Sequence, residues 1–579
     1  MRTFIADFET TTDPNDCRVW AYAICEVGNQ ENLIIGNNID DFMEFCANRK
    51  ENYKILFHNL KFDSQFIMTW LFQNEFKHTR EQSERKTRTF NTIINDKGLY
   101  YQIEVIFQRT GKNINKVTFQ DSEKLLDMGV EDIAKTFKLP FSKLKIDYHE
   151  YRKPGHELTK EEIEYIKNDV KIVATAIEFF YANGLDKMTI GACALSDYKK
   201  TIKEVNFKRF FPSTTIQEFD REIRQSYKGG FTYLNPKFKD KIIKDGIVLD
   251  FNSVYPSIMY DELLPYGTPI FYTGKYEHDE FYPLYIQMIK CQFELKKGKI
   301  PTIQIRHGAD FSGSEYLTSS NYEERTLCLT SVDLELFLQQ YDVYNIQYLS
   351  GWKYKAANGL FHDYVEKWYK VKVKAKEEKN WGMYQIAKRM LNALYGKFGT
   401  LPKFVSKNPE LNKENVIVYG EDDIIYRDGM YLAMASFITS HARARIINAA
   451  QKVTDDYNEG KSNIEFIYAD TDSLHLKSKN FEKPAYFEYD DLELGKFKVE
   501  KEFKRAKYLR QKCYIMDCKE PGEKDFQKKI TVAGMPKGCY QYVTFKNFKI
   551  GARYQGSLKA HSVSGGVVLS EVDFTIKKV

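Results

Sequence analysis

The chain has 579 residues, enough for several domains at the usual size of roughly 100 to 200 residues each. Its 86 Lys and Arg nearly balance its 80 Asp and Glu, so a net charge of +6 does not by itself predict a polyanionic partner. The nine Cys lack the paired spacing of zinc or iron–sulfur sites, and no apolar run approaches the ~18 residues of a membrane span. We therefore expect a multidomain cytoplasmic protein with reduced cysteines and no membrane partner.

The first predicted elements are a strand from Thr3 to Phe8 and, after mixed strands and helices, a long helix from about Lys160 to Tyr181. Thr159 and Glu162 have the spacing of a capping box, and Gly184 stands where a C-terminal cap belongs. The predicted buried stripe of this helix consists of Ile163, Ile166, Val170 and Val173. We place the first domain boundary just after the helix.

A first set of acidic residues is distributed over these elements. Asp7 and Glu9 lie two apart on the strand, so both side chains point to one face. Asp63 follows an apolar run, and Tyr165 and Asp169 lie one turn apart on the long helix. Four carboxylates suit a two-metal phosphodiesterase, in which ions ~3.5 to 4 Å apart activate a water that Tyr165 orients. Either pair alone is better explained as solvated surface acids, and only the ordered combination favours a site.

A second set of acids follows apolar strands in the C-terminal half. Ile247 to Asp250 predicts a buried strand that ends in an acid, before a helix beginning near Pro256. Asp470 and Asp472 occupy the tip of a predicted hairpin, although such a sequence is also common in simple turns. Because burying an unpaired charge is costly, we expect Asp250 and Asp472 to hold two metal ions for nucleotidyl transfer, with Asp470 in support.

The segment between these acids, from Phe361 to Phe398, predicts helix. Within it Lys388, Asn392 and Tyr395 share one face, which suits phosphate, base and sugar but would equally fit an exposed amphipathic helix. The polar stretch from Leu401 to Arg427 predicts a loop or a hairpin excursion.

Two more segments have the composition of nucleic-acid contacts. Tyr227 to Gly230 contains adjacent glycines, which allow close backbone approach to a ligand or a sharp turn. Lys512 and Tyr514 would face the same way on a strand and track a DNA backbone, with a charged edge strand as the alternative. From about Ala533 the chain alternates β-formers with turn residues.

The ordered motifs resemble those of a known enzyme family. Asp-x-Glu-Thr at residue 7, Asn-x-x-Phe-Asp at 59 and Tyr-x-x-x-Asp at 165 resemble the three exonuclease motifs of family B DNA polymerases. Asp-x-x-Ser-x-Tyr-Pro at 250, Lys-x-x-x-Asn-x-x-Tyr-Gly at 388, Tyr-x-Asp-Thr-Asp-Ser at 468 and Lys-x-Tyr at 512 resemble the polymerase motifs of that family. The length and the segments Leu263 to Gly267 and Gly565 to Leu569 resemble the protein-primed phage polymerases of the phi twenty-nine group.

The resemblance implies an α/β, more strictly α+β, multidomain fold: a ribonuclease H-like 3′→5′ exonuclease domain joined to a right-hand polymerase with two protein-priming insertions. The expected domains are the exonuclease domain 1–190, the first palm part 191–260, a terminal-protein and DNA-binding insertion 261–359, the fingers 360–398, a strand-displacement and processivity insertion 399–430, the second palm part 431–532 and the thumb 533–579.

It also implies a function: a DNA-directed DNA polymerase that replicates a phage genome by protein-primed initiation, with strand displacement and 3′→5′ proofreading, using two Mg²⁺ or Mn²⁺ ions at each site. The expected partners are template and primer DNA, dNTPs, a terminal protein primer and phage single-stranded and double-stranded DNA-binding proteins. The enzyme is expected to be a monomer in the cytoplasm of the bacterial host. The alternatives are a family B polymerase that uses a nucleic-acid primer and a non-catalytic DNA-binding protein, although no motif carboxylate is missing.

Roles follow from the resemblance residue by residue. The residues assigned to catalysis are Asp7, Glu9, Asp63, Lys143, Tyr165, Asp169, Asp250 and Asp472, and those assigned to metal binding are Asp7, Glu9, Asp63, Asp169, Asp250, Phe251, Asp470 and Asp472. The residues assigned to the incoming nucleotide are Tyr255, Lys372, Lys388, Asn392 and Tyr395, with Tyr255 excluding ribose. The residues assigned to DNA are Thr10, His58, Asn59, Phe62, Ser122, Tyr227, Gly229, Gly230, Thr439, Arg443, Lys512 and Tyr514.

The sequence leaves two further points to test. Ala393 stands where the group usually has Ser, and Glu123 stands where it usually has Leu, so contacts with DNA or the terminal protein are expected to differ there. The segment from Ile305 to Gly359 is expected to dock the terminal protein rather than to build the catalytic core. Its mixed charges come from Arg306, His307, Glu315, Glu323, Glu324 and Arg325.

Overall fold

The first domain contains an eight-stranded mixed sheet. In the computed structural model the described residues are 1–47, 51–148, 150–213, 217–305, 315–421, 424–427 and 429–578. The elements of this domain are β1 Arg2–Thr10, β2 Val19–Glu26, β3 Asn29–Gly36, α1 Ile39–Ala47, β4 Tyr53–Phe57, α2 Leu60–Gln73, β5 Lys77–His78, β6 Thr89–Ile94, β7 Tyr100–Thr110, β8 Asn113–Asp121, α3 Glu123–Leu126, α4 Val130–Thr136 and α5 Lys160–Ala182. The strand order is β3-β2-β1-β4-β8-β7-β6-β5, with β1, β4 and β8 parallel. This is the ribonuclease H-like arrangement that the sequence predicts.

The long helix α5 has the predicted ends. Thr159 Oγ1 accepts a hydrogen bond from the Glu162 amide at 3.2 Å, the Glu162 carboxylate accepts from the Thr159 amide, and Gly184 adopts φ +75°. The prediction of the buried stripe was wrong at one position, since the Ile163 side chain is 37% exposed. Ile166, next in the stripe, is fully buried.

The chain continues into its C-terminal half through helices and two strands. These elements are α6 Ile190–Ile202, α7 Glu204–Phe210, α8 Gln217–Arg224, β9 Thr232–Leu234, β10 Ile242–Phe251 and α9 Val254–Asp261. The largest hydrophobic core contains residues of β1, α5, α6 and β10, so the two halves share one core. The end of the first predicted domain therefore falls inside a continuously packed region.

The first insertion is a sheet that packs against the polymerase half. Its elements are β11 Leu264–Thr273, β12 Leu284–Leu295, β13 Gln304–Ile305, β14 Glu315–Tyr316, β15 Arg325–Thr330, α10 Ser331–Gln340 and β16 Tyr341–Ala357. The order β11-β16-β12-β15 places β16 in the interior, and its Tyr354 is fully buried in the main core. The segment from Ile305 to Gly359 is thus packed against the main hydrophobic core, and its expected role in docking the terminal protein stays a prediction. Arg306 and His307 lie outside the described residues.

The fingers and the second insertion follow. The predicted helical segment forms two helices, α11 His362–Glu377 and α12 Trp381–Phe398. The predicted hairpin excursion is confirmed as β17 Lys403–Phe404, β18 Lys407–Leu411, β19 Ile417–Glu421 and β20 Ile425–Tyr426, in which β17 pairs with β20 and β18 with β19. This excursion packs on the first domain, because Tyr419 is hydrogen-bonded to Tyr100 and to Gln65 Nε2.

The remaining elements complete the palm and the C-terminal hairpin. They are α13 Leu432–Asn458, β21 Glu465–Asp470, β22 Ser473–Lys477, β23 Phe497–Arg510, β24 Cys513–Lys519, β25 Gln527–Val532, β26 Arg553–Val563 and β27 Gly566–Thr575. The palm sheet has the order β25-β24-β23-β10-β22-β21-β9, so β10 lies in its centre. Short 3₁₀ turns occur at Gln82–Glu84, Pro236–Phe238, Lys479–Phe481 and Lys537–Tyr542. No helix among these described ranges is long and apolar enough to cross a membrane.

Candidate active sites

The first acid set converges on one cavity in the ribonuclease H-like domain. Strand β1 delivers Asp7 and Glu9 from the middle of the sheet, the first turn of α2 delivers Asp63, and α5 delivers Asp169. All four side chains line a cavity of about 690 Å³, and all except the half-buried Asp7 are buried. Asn59 precedes α2 in the left-handed conformation, φ +82°, and its amide donates to Asp121 Oδ1 at 3.1 Å. The predicted first site is thus assembled.

Like charges crowd this cavity. Burial, followed by the charge of Asp169, raises the pKa of Asp7 to about 7. Burial and neighbouring carboxylates also raise the pKa values of Glu9 and Asp63 well above their usual range. Lys143 Nζ forms an ion pair with Asp169 Oδ2 at 2.5 Å.

The donor set fits divalent cations. The buried Asp169 Oδ1 has no hydrogen-bond partner, which leaves a hard oxygen donor available beside three other carboxylates. Within the described ranges no three Asp, Glu, His or Cys side chains already form a metal-binding cluster. The carboxylates therefore have suitable chemistry and excess negative charge, while side-chain adjustment is required before they can surround an ion.

A tyrosine pair and a tethered loop complete the first site. Tyr165 OH lies 2.6 Å from Tyr148 OH, on the loop that also carries Lys143. The loop is fixed by the buried Arg152, whose Nη1 donates to the Glu150 carbonyl at 2.8 Å and whose Nε donates to Glu162. Sequence reasoning did not assign Tyr148 a role, although it lies only five residues after Lys143.

The predicted single-strand contacts divide into two groups. Thr10, His58, Asn59 and Phe62 line the cavity, while Ser122 is buried behind it. Ser122 Oγ donates to the Phe57 carbonyl and lies 3.1 Å from His58 Nδ1, so Ser122 positions His58 rather than facing the cavity. The C-terminal hairpin supplies a wall that the sequence did not predict, consisting of Leu558, Val567, Leu569 and Glu571.

The second acid set meets at the end of the central palm strand. Pairing of β10 with β22 places Asp250 opposite Ser473, and the Phe251 amide donates to the Asp472 carbonyl at 2.8 Å. Thr471, at φ +61°, makes the tight turn. Burial and then the charge of Asp250 raise the pKa of Asp472 to about 7, so these carboxylates also fit a cation chemically.

Asp470 is engaged differently from the other two acids. Its Oδ1 accepts from Thr232 Oγ1 at 3.2 Å and its Oδ2 accepts from Tyr468 OH at 3.1 Å. Lys498 on β23, which sequence reasoning missed, forms an ion pair with Asp250 Oδ2 at 3.1 Å. Lys498 thus partly neutralises Asp250, while two hydroxyl groups hold Asp470 in place.

The predicted nucleotide residues surround these acids. Tyr255 on α9 and Tyr395 on α12 stack with ring centroids 4.0 Å apart. Lys372 Nζ donates to Ser253 Oγ at 2.9 Å, and burial together with Lys498 and Lys388 lowers the pKa of Lys372 to about 8. A cavity of about 110 Å³ beside it is lined by Lys372, Lys376, Lys498, Asn252, Tyr369 and Tyr384, among others. Lys388 and Asn392 are exposed.

Two predicted DNA contacts are buried in the palm. Arg443 is 5% exposed, and its Nη1 donates to the carbonyls of Lys228 and Gly229 at 2.8 and 2.9 Å. Its Nη2 forms an ion pair with Asp333 of α10, whose pKa Arg443 holds down against the effect of burial. Thr439 is 1% exposed and donates to a carbonyl of its own helix. In this structure Arg443 supports the segment from Tyr227 to Gly230, here called the linker, while Thr439 is buried within its own helix.

Close packing explains why a glycine occupies position 230 in the linker. A Cβ there would lie 2.8 Å from the Thr471 side chain, so the linker rests directly on the hairpin that carries Asp470 and Asp472. Tyr227 contacts Gly399 beyond the fingers, since a Cβ on Gly399 would lie 2.5 Å from the Tyr227 hydroxyl. The exposed Gly229 lies between these contacts.

The prediction for Lys512 and Tyr514 was wrong in its geometry. Lys512 lies in the turn between β23 and β24 with φ +51°, so the two side chains do not share a strand face. Tyr514 is buried in an aromatic cluster with Tyr468 and Tyr508, while Lys512 is exposed, with Nζ 3.6 Å from Asp470 Oδ1. Lys512 alone is placed to meet a ligand at the second site.

Comparison with known proteins agrees with this geometry. Residues 46–486 match the family described as DNA polymerase type B, organellar and viral. The chain is 44% identical over 588 residues to the DNA polymerase of Bacillus phage Nf, with 100% of both chains covered. It is 42% identical over 590 residues to that of Bacillus phage phi29, covering 100% of this chain and 99% of the other.

A solved structure also matches the whole chain. The Phi29 DNA polymerase in a ternary complex with primer-template DNA and incoming nucleotide substrates superposes with a TM-score of 0.92 at 41% identity, over 100% of both chains. The chain belongs to the type B DNA polymerases of organelles and viruses. Within that family it is a phage DNA-directed DNA polymerase of the protein-primed phi29 type.

Replacing Glu9 by Gln tests whether the first acid cluster is built for cations. At pH 8 in EDTA, Glu9→Gln should raise the thermal unfolding midpoint by roughly 2 to 4 °C, because it removes a buried carboxylate repelled by Asp7 and Asp169. The pKa of Glu9 is raised in the folded state, so its ionisation destabilises the fold as pH rises above ~4.3. The rise in the unfolding midpoint caused by Glu9→Gln should therefore be smaller at pH 5 than at pH 8.

Saturating Mn²⁺ should remove this advantage, because a cation that binds the native state stabilises the wild type by mass action. The exposed Glu161→Gln on α5 serves as the matched control and should leave the midpoint unchanged. Destabilisation by Glu9→Gln in EDTA at both pH values would contradict the account of crowded charge.

Proposed function

We propose that this polymerase extends DNA at the palm site and removes 3′ nucleotides at the site in the first domain. The observation that carries the proposal is the separation of two buried carboxylate sets, one on the eight-stranded sheet and one on the palm sheet. Each set offers buried carboxylate oxygens suited to Mg²⁺ or Mn²⁺, and the family depends on divalent metals.

At the palm site, Asp250 and Asp472 are the proposed metal ligands, with the Phe251 carbonyl as a further donor and Asp470 in support. Bound divalent ions would supply charge neutralisation for the triphosphate and a more acidic primer hydroxyl. Lys372, Lys376, Lys388 and Lys498 provide the positive charge that a triphosphate requires, and Lys512 lies beside the primer end. Template and primer DNA and dNTPs are thus the proposed ligands, as in the solved relative.

The stack of Tyr255 on Tyr395 gives both rings a role in nucleotide selection. The two rings are closely stacked, with centroids 4.0 Å apart, and an entering nucleotide would displace one ring from the other. Tyr255 then remains against the sugar and excludes a 2′-hydroxyl, while Tyr395 and Asn392 contact the base pair. Ala393, beside them, offers no hydroxyl to the template.

At the first site, Asp7, Glu9, Asp63 and Asp169 are the proposed metal ligands of a proofreading exonuclease. Tyr165, held by Tyr148, orients the attacking water, and Lys143 neutralises the scissile phosphate. Thr10, His58, Asn59 and Phe62 hold the single-stranded 3′ end, with Ser122 supporting His58.

The proposed domains keep the predicted limits: exonuclease domain 1–190, palm 191–260 and 431–532, first insertion 261–359, fingers 360–398, second insertion 399–430 and thumb 533–579. The contact of Tyr419 with Tyr100 joins the second insertion to the exonuclease domain, which supports a role in enclosing DNA and displacing the other strand. We propose that a terminal protein primes synthesis, that phage single-stranded and double-stranded DNA-binding proteins assist it, and that the enzyme acts as a monomer in the host cytoplasm.

The two sites should be separable by substitution. Asp7→Ala with Asp63→Ala should abolish 3′ degradation and leave primer extension within about twofold of wild type, whereas Asp472→Asn should reduce extension by more than about 100-fold and spare degradation. Each tenfold loss corresponds to ~1.4 kcal/mol of transition-state stabilisation. Both activities are measured on one end-labelled oligonucleotide with Mg²⁺. The exposed Asp186→Asn is the control, and joint loss of both activities in a folded variant would refute the two-site proposal.

Terminal-protein priming should depend on the exposed face of the first insertion. Tyr322 and Tyr344 are 95% and 52% exposed, and Gln292 connects their neighbourhoods by hydrogen bonds to the Tyr322 carbonyl and to Asn345. Large exposed aromatic side chains are typical anchors of protein interfaces. Tyr322→Ser with Tyr344→Ser should therefore reduce attachment of labelled dAMP to the phage's terminal protein by more than about tenfold.

The same double variant should extend a DNA primer normally. Tyr542→Ser, another exposed tyrosine outside the insertion, is the matched control for loss of an aromatic side chain. Normal attachment by the double variant would exclude this face as the docking surface. Absence of attachment by the wild type would favour a polymerase that uses a nucleic-acid primer.

A further inference from the structure

The nucleotide helix α12 is fastened to the exonuclease domain by one arginine. Arg389 follows Lys388 in the chain; its Nη1 donates to the Leu126 carbonyl, and its Nη2 donates to the Asp127 carbonyl at 2.9 Å. Asp127 ends α3 in the left-handed conformation, φ +44°. A planar guanidinium that spans two adjacent carbonyls fixes the orientation as well as the distance between α12 and α3.

A second contact lies at the tip of the α11–α12 hairpin. Lys138 Nζ, in the exonuclease domain, donates to the Lys379 carbonyl at 3.2 Å. A Cβ added to Gly382 would lie 2.8 Å from the ring of Phe137, so that ring rests directly on the first turn of α12. The fingers hairpin therefore touches the exonuclease domain at its tip and along α12.

The short segment that Arg389 binds leads directly to the exonuclease cavity. Ser122 immediately precedes α3, and the Leu126 amide donates to the Ser122 carbonyl at 2.9 Å. Ser122 in turn lies against His58, which lines the cavity. One four-residue helix thus has the nucleotide helix at one end and a support of the editing site at the other.

A further contact holds α12 to the palm. Tyr395 on α12 stacks on Tyr255 of α9 with ring centroids 4.0 Å apart, so a movement of α12 relative to the palm would disturb this stack and the Arg389 hydrogen bonds together. Hydrogen bonds of 2.7 to 3.2 Å tolerate only a few tenths of an ångström, and a shift of about 1 Å is enough to break those of Arg389.

We propose that Arg389 is a positioning residue that couples the two active sites: it holds α12 docked on the exonuclease domain, and nucleotide binding releases it. This rests on the proposed nucleotide and exonuclease sites. By thermodynamic linkage the docked state weakens nucleotide binding, and nucleotide binding loosens the support of His58 through α3. When dNTPs are scarce, the coupling lowers the rate of elongation. The exonuclease then has more time to act on the 3′ end.

The test is a comparison of Arg389→Leu, Arg389→Lys and the exposed Arg209→Leu. Single-nucleotide incorporation on a DNA primer gives KM and kcat for dNTP, and a labelled 3′ end gives the dNTP concentration that halves degradation. Arg389→Leu should lower KM about fivefold, with kcat within about twofold, and should lower the half-suppressing concentration to the same extent. Arg389→Lys should have a KM between those of wild type and Arg389→Leu, because an ammonium group keeps one charge-assisted hydrogen bond but cannot span two carbonyls as a guanidinium does. Arg209→Leu should match wild type.

A second variant acts from the other end of the contact and retains Arg389. Gly382→Ala adds a methyl group against the Phe137 ring, at a helical position where alanine is favoured over glycine. It should therefore lower KM as Arg389→Leu does, and it provides the test if Arg389→Leu does not fold. Unchanged KM in both Arg389→Leu and Gly382→Ala, or a raised KM together with a lost kcat, would overturn the coupling. If the wild type shows no 3′ degradation, the exonuclease proposal is refuted. The role of Arg389 is still tested in that case, because the change in KM is measured on DNA synthesis.

Discussion

The burial of like-charged carboxylates at the ends of strands is the constraint on which this structure depends. In both sites strands or a helix turn bring acids into a poorly solvated space, where burial and then neighbouring carboxylates raise their pKa values. Such an arrangement costs stability unless a cation joins it. The structure contains two such destabilising acid sets, and well-packed strands and helices around each set hold the acids in position.

The palm shows how the surrounding structure is organised around its acids. The strand end at Asp250 is fixed by pairing with β22, and the linker glycine at 230 rests on the same hairpin. Arg443 then ties the linker to Asp333 of the first insertion, with the ion pair almost fully buried. An insertion that is expected to bind a partner is therefore physically connected to the strand end proposed as the synthesis site. Loss of that connection leaves a buried unpaired charge, which makes it a strong structural constraint.

Local signals in the sequence predicted much of this arrangement. The capping box of α5, the strand-end acids and the Asp-Thr-Asp hairpin depend on neighbouring residues and are confirmed. The missed residues depend on tertiary pairing: Lys498 reaches Asp250 only through the register of β23 on β10, and Arg389 reaches α3 only through the docking of α12. Lys512 was misplaced because a turn interrupts the basic tract, and Arg443 because burial of an arginine depends on its distant partner Asp333.

The central claim is that two independent sets of carboxylates bind divalent cations. The most direct measurement is Mn²⁺ binding followed by electron paramagnetic resonance in the wild type, in Asp7→Asn with Asp63→Asn, and in Asp250→Asn with Asp472→Asn. The account predicts that each double variant loses a different part of the bound Mn²⁺ and that the two losses together remove the high-affinity binding. Loss of the same ions in both variants, or unchanged binding in either, would contradict it.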